Sequence, residues 1–235
     1  MPIPRLIHFC WLSGEERPLK VEQCLASWQR HLVNYEITIW DQESFDIGSV
    51  PFVEEACAAR RWAFAADYIR LWALYHYGGV YLDSDVYVHK SLDPFLDHRI
   101  FSSVEFHTQL FYDDLKQKNR LEDMAGMGIE AAVIGAEMRH PFIKACLDRY
   151  EDLHFTDTPN FMATVMLPRI MTQVAVERFG YRFDPVYQEL AEGIVLYPPD
   201  VFSRPGPDSL IKYTSHLCLH SWVPRPSRRH EKADG

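Results

Sequence analysis

A chain of 235 residues, 47% apolar and 14% aromatic, can bury one sizeable core or two small ones. Its formal net charge of −9 argues against a general nucleic-acid binder, because neutralising a phosphate backbone needs clustered positive charge, although one phosphate pocket remains compatible with it. Five dispersed cysteines without a C-x-x-C read as reduced thiols of a cytoplasmic protein, and no apolar run reaches the ~18 residues of a membrane span. The opening residues read as the fold beginning at once, not as a signal peptide.

Ile3 to Leu12 predicts a mostly apolar first strand of the kind buried on both faces of a parallel sheet. Trp11 falls at its carboxyl end, where open α/β sheets bind ligands, so its ring is either a platform for a nucleobase or a rim tryptophan. Pro18 to Leu32 carries Val21, Cys24, Leu25 and Trp28 at helical spacing, and Tyr35 to Trp40 predicts a second strand, which together make a right-handed βαβ unit. Trp40 and Asp41 are secondary candidates for a base or ribose contact. Phe52 to Arg61 predicts a further helix.

Between Trp62 and Tyr77 the formal charges are Asp67 and Arg70, in a proline-free run that predicts a helix buried nearly all round. Gly78-Gly79 ends it. Val80 to Val88 then alternates, with Tyr81, Asp83, Asp85 and Tyr87 on one side, which predicts a strand carrying two carboxylates on one face. Such carboxylates repel unless a cation intervenes, and a divalent ion sharing phosphate oxygens fits; the alternative is a turn at Ser84 with two solvated acids. Asp67 and Arg70, three apart on a helix, either pair with each other or serve a ligand.

Arg99 to Phe106 predicts another strand, with Glu105 at its end as a candidate acceptor contact or a solvated terminus. His107 to Ala125 is charge-rich and reads as a surface excursion. Met127 to Ala136 predicts an apolar strand, His140 to Leu153 a helix, Asn160 to Phe179 a helix broken near Pro168, and Gly193 to Pro198 a late strand. The chain closes on His216 to Trp222 and a basic tail.

The run ADYIRLWALYHYGGVYLDSDV resembles the signature of the DXD-containing sugar-transferase family that includes the fungal initiating α-1,6-mannosyltransferase, bacterial capsular-polysaccharide transferases and, more distantly, the glucosylating core of the clostridial toxins. The matching positions are Ala65, Asp67, Arg70, Leu74, Tyr75, Gly78, Gly79, Tyr81, Asp83 and Asp85, joined by Ile3, Pro4, Ile7, His8 and Trp11 of the opening strand. The resemblance implies an α/β fold of the GT-A nucleotide-diphospho-sugar transferase type, with a mostly parallel central sheet flanked by helices. It implies one domain over residues 1–224, leaving 225–235 as a basic, disordered end or a contact with an anionic inner-membrane face.

It further implies transfer of a sugar, with retention of configuration, from a nucleotide-diphosphate donor, UDP before GDP, to a glycan or lipid-linked acceptor. Asp67, Arg70 and Asp85 are the catalytic residues it implies. Trp11, Asp67, Arg70, Tyr81, Asp83 and Trp222 would hold the donor, and Asp83, Asp85 and His220 would hold Mn²⁺ or Mg²⁺. His216 is the weaker of the two histidine candidates. Where the family commonly has Asn before its small-residue run this chain has Glu130, so no role is carried over there. A metal-dependent nucleotidyltransferase or phosphohydrolase, or a non-catalytic sugar-nucleotide-binding protein, would use the same carboxylates.

Overall fold

The computed structural model describes residues 2–118, 126–203 and 209–219. The strands are β1 (Leu6–Cys10), β2 (Glu36–Trp40), β3 (Gly79–Leu82), β4 (Val86–Val88), β5 (Ile100–Phe106), β6 (Met127–Ile129), β7 (Val133–Ala136), β8 (Gln188–Leu190), β9 (Ile194–Tyr197) and β10 (Thr214–His216). The helices are α1 (Leu19–His31), α2 (Pro51–Ala58), α3 (Trp62–Tyr77), α4 (Thr108–Lys118), α5 (Pro141–Leu147), α6 (Pro159–Val165), α7 (Leu167–Arg178) and α8 (Pro199–Phe202).

The main sheet runs β2-β1-β3-β7-β5-β9-β8, with β6 added beside β5. β2, β1, β3, β5 and β9 point one way and β7 and β8 the other, so the sheet is mostly parallel in direction. Two apolar clusters fill its faces. One, built on Phe52, Ile69, Leu74, Phe142 and Met171, lies under α2, α3, α5 and α7; the other, built on Phe9, Trp28, Leu82, Phe101 and Phe202, lies under α1 and α8. Helices on both sides explain why β1, β3 and β7 read as unbroken apolar runs.

α3 passes straight into β3 because two glycines in succession take positive φ, 64° at Gly78 and 103° at Gly79. A Cβ at Gly79 would stand 2.5 Å from the Leu6 carbonyl oxygen, so the strand can sit beside β1 only without a side chain there.

Val80 to Val88 is not one strand. β3 is buried on both faces, so the alternation in its sequence does not mark an exposed side; the chain turns at Ser84, with the Val86 amide donating to the Asp83 carbonyl at 2.9 Å, and restarts as β4. β4 leaves the main sheet and pairs antiparallel with β10, Val86 opposite His216. Its other edge is met by side chains of α1: Trp28 Nε1 donates to the Val86 carbonyl at 2.7 Å, and the Val88 amide donates to Ser27 Oγ at 2.9 Å.

Met127 to Ala136 is likewise two strands, parted at residues 130–132, where the Glu130 side chain is buried. Thr108 to Lys118 is helical, not an irregular excursion, because Phe111 and Leu115 point inward one turn apart while the charges face out. The helix expected over 160–179 breaks at Met166, Pro168 opening α7. β8 and β10 were not anticipated. Among the described residues no helix is long and apolar enough to cross a membrane.

Candidate metal and donor site

β1 and β3 end side by side, which brings the residues after them to the carboxyl edge of the sheet, where ligands of open α/β folds bind. Asp83 and Asp85 flank the turn after β3. The pairing of β10 with β4 returns the chain to that turn, and one ligand atom each from Asp83, Asp85 and His216 all lie within 4.8 Å of one another. Two carboxylates and an imidazole are a donor set that suits Mn²⁺ and, less well, the oxygen-seeking Mg²⁺.

Each ligand is braced. Asp85 Oδ2 accepts the Leu219 amide at 2.8 Å, and Asp85 Oδ1 lies 3.4 Å from His216 Nε2. Burial pushes the Asp85 carboxyl up, but His216 and the Leu219 amide outweigh it and hold the group below its ordinary range. Asp83 goes the other way: burial raises it more than the Arg70 and His216 charges lower it. His216 Nδ1 is buried and lies 3.3 Å from Glu130 Oε1, within ion-pair reach but off the line of a hydrogen bond. Burial disfavours charge on this imidazole, yet Asp85, Cys218 and Glu130 together carry its pKa well above the ordinary value. The acids around this ring thus favour positive charge at the point where a bound cation would sit.

Arg70, on the inner face of α3, is almost fully buried. It bridges Asp67 at 2.9 Å and Asp83 at 3.2 Å, donates from Nη1 to the Ala131 carbonyl at 2.6 Å, and lies over the Tyr81 ring at 4.4 Å. Its charge therefore acts through Asp83. Asp67 is equally committed, since its Oδ2 accepts the Leu167 amide at 3.1 Å and so ties α3 to the amino end of α7. Burial, only partly opposed by Arg70 and that amide, lifts the Asp67 carboxyl to about 6.

Three further groups of candidates from the sequence are buried or bonded within the fold. Tyr81 is 1% exposed in a strand covered on both faces, and its ring is a platform for Arg70. Asp67 has one oxygen on Arg70 and the other on the Leu167 amide, and so holds Arg70 and α7 in place. Trp40 is buried, its ring packed against His8, Trp72 and Tyr77, while Asp41 caps its own turn through the Ser44 amide at 2.8 Å.

Trp11 remains half-exposed at the end of β1, its Nε1 donating to the Glu15 carbonyl at 2.8 Å and the Arg17 guanidinium 5.8 Å from its ring. Glu105 pairs with His107 at 2.6 Å. His220 and Trp222, with the tail 225–235, lie outside the described residues. Sequence reasoning ranked His216 below His220 and gave Glu130 no role; what unites them with Asp85 is strand pairing across the length of the chain, and the one local signal was an acid in an otherwise apolar run.

Residues 18–102 match the family described as glycosyltransferase sugar-binding region containing DXD motif. Over 100 residues the chain is 33% identical to inositol phosphoceramide mannosyltransferase 3 of Schizosaccharomyces pombe, covering 41% of this chain and 28% of that protein. Over 231 residues it is 23% identical to inositol phosphoceramide mannosyltransferase 1 of the same yeast, covering 94% of this chain and 62% of that one. The chain thus spans less than two thirds of either relative. Its fold is similar to the PaToxG glycosyltransferase, with TM-score 0.53, 16% identity, and 75% of this chain and 70% of that one covered. It is also similar to mouse xyloside xylosyltransferase 1, with TM-score 0.53, 9% identity, and 93% and 99% covered.

Proposed function

We propose, from the match of residues 18–102 to the glycosyltransferase sugar-binding region containing DXD motif, that this chain is a metal-dependent transferase taking a sugar from a nucleoside-diphosphate donor to a glycan or lipid-linked glycan acceptor. The observation that carries this is the meeting of Asp83, Asp85 and His216 at the carboxyl edge of the sheet. A divalent ion held there would act as a Lewis acid on the departing diphosphate. Asp83 and Asp85 supply its anionic ligands and His216 Nε2 a nitrogen ligand. Arg70 keeps Asp83 turned to the site, and Asp67 keeps Arg70 in place. Trp11 offers its exposed face to the nucleobase.

Retention of anomeric configuration and a preference for UDP belong to the same reading and rest on family resemblance. The names of the two yeast relatives make mannose a donor sugar to include in any screen.

Calorimetric titration with UDP and with GDP, each with Mn²⁺ and again with EDTA, tests the proposal. Metal-dependent binding of one nucleotide is expected, followed by release of that nucleoside diphosphate and a new glycoside when the right sugar and acceptor are present. Pyrophosphate as product would identify a nucleotidyltransferase instead. Asp85→Ala should abolish metal-supported turnover while retaining the far-UV circular dichroism of the parent; unchanged turnover would exclude the site.

A further inference from the structure

Glu130 stands in the break between β6 and β7 and is 2% exposed. A carboxylate taken that far from water needs several partners, or it costs several kcal/mol. It has them: Oε1 accepts the Ala132 amide at 3.0 Å, Oε2 accepts the Ser203 hydroxyl, and Oε1 lies 3.3 Å from His216 Nδ1. The backbone at the same position is also held, its amide donating to the Ser103 carbonyl at 2.9 Å and its carbonyl accepting the Ser102 hydroxyl at 2.7 Å. The acid is therefore a fixed object, held by β5, by the residue before β7 and by the residue after α8, with one oxygen close to the imidazole.

That imidazole has two nitrogens with different neighbours. Nε2 faces Asp85 and the candidate ligand cluster; Nδ1 faces Glu130. A histidine binds a cation through the lone pair of one nitrogen, which requires the ring proton to sit on the other. We propose that Glu130 is a positioning residue for the metal site: its fixed carboxylate, 3.3 Å from Nδ1, favours the ring proton on that nitrogen and so selects the tautomer of His216 whose Nε2 lone pair would join Asp83 and Asp85 on one cation, a small rotation of the ring bringing Nδ1–H into line. The arrangement is a carboxylate–histidine–metal relay, in which the outer acid sets ring orientation and raises ligand basicity. This inference rests on the metal-dependent reading above.

A purely structural Glu130 and a positioning Glu130 respond differently to Glu130→Gln. Gln keeps the volume and one acceptor oxygen but removes the charge that faces His216, so some loss of stability accompanies either role and the melting temperature alone does not separate them. If Glu130 works on His216, the folded variant, at a temperature where its circular dichroism matches the parent, should bind Mn²⁺ about 10- to 100-fold more weakly, the usual effect of losing an outer-shell partner. Mn²⁺ binding to the full chain, read by the loss of the free-ion electron paramagnetic resonance signal, should be measured for the parent, Glu130→Gln, His216→Ala, the double variant and Asp85→Ala.

The double variant should bind no more weakly than His216→Ala alone, since the acid acts through the ring. With histidine ¹⁵N-labelled and Mg²⁺ in excess, the parent should show His216 as the Nδ1–H tautomer, and Glu130→Gln a mixture. Ser203→Ala, which frees one oxygen of Glu130 without touching the ring, serves if Glu130→Gln does not fold, and should weaken Mn²⁺ in the same direction by less. Binding equal to the parent in Glu130→Gln, with binding lost in Asp85→Ala, overturns the role of Glu130 and leaves the proposed function standing. Additive losses in the double variant, or an Nε2–H ring in the parent, do the same. No Mn²⁺ binding by the parent overturns both.

Discussion

His8 makes two hydrogen bonds that one protonation state alone permits. Its Nε2 donates to the Gly78 carbonyl at 2.8 Å, and its Nδ1 accepts the Trp40 indole N–H at 3.2 Å. A second ring proton would face the indole donor. Burial lowers the His8 pKa, against a smaller opposite pull from the Gly78 carbonyl. Because the folded value lies below the unfolded one, the unfolded chain takes up the proton first; the stabilisation is complete above about pH 6.5 and is lost as pH falls below it. In urea titrations between pH 7.5 and 5, His8→Gln should show a shallower fall of stability with acid than the parent, and equal slopes would exclude this account.

Arg70 is the other residue whose removal speaks clearly. Arg70→Ala leaves Asp67 and Asp83 without their shared cation and should cost about 3–5 kcal/mol. Saturating Mn²⁺ should restore part of that loss, since it neutralises Asp83 but not Asp67; an equal loss with and without the ion would remove Asp83 from the ligand set.

At the scale of elements, the passage from α3 to β3 was legible from Gly78-Gly79 alone, and so was the buried helix before it. Gly79→Ala should cost about 1–3 kcal/mol in backbone strain alone, since φ is 103° there, with more from the Leu6 carbonyl in its path. Thermal unfolding measures it, and a melting temperature within a degree of the parent would contradict the close approach of β1 and β3. The break after Leu82 was not legible. A strand buried on both faces and an alternating strand can share one sequence, and here Tyr81 mimicked a polar face while packing under Arg70.

Helix α4 was hidden by its charges, because the burial of Phe111 shows only once β5 and β6 are placed beside it. β10, at three residues, is too short to carry a periodicity. What defines it is β4, a strand whose own edge is otherwise met by Ser27 and Trp28. The donor set was half legible for the same reason: Asp83 and Asp85 are neighbours in sequence, while His216 and Glu130 reach them through long-range pairing.

For the whole molecule, the like charges at the carboxyl edge of the sheet would make the fold and a cation bound at the proposed site interdependent. An ion that binds the native chain alone stabilises it by RT ln(1 + [L]/Kd), about 2.7 kcal/mol at one hundred times Kd. Mn²⁺ should therefore raise the melting temperature in a concentration-dependent way, EDTA should reverse it, and Asp85→Ala should show neither effect. A shift that persists in Asp85→Ala would locate the ion elsewhere.

The pairing of β4 with β10 also sets an order on biosynthesis. A chain emerging amino end first presents the Asp83–Asp85 turn long before Thr214 to His216 exist to lie against it. Until then β4 has α1 on one side and nothing from β10 on the other, and the two acids have neither the imidazole nor the Leu219 amide. On the proposed metal-dependent reading, the candidate ligand set is therefore completed only when Thr214 to His216 pair with β4, and a cation held by all three residues would be acquired after that pairing.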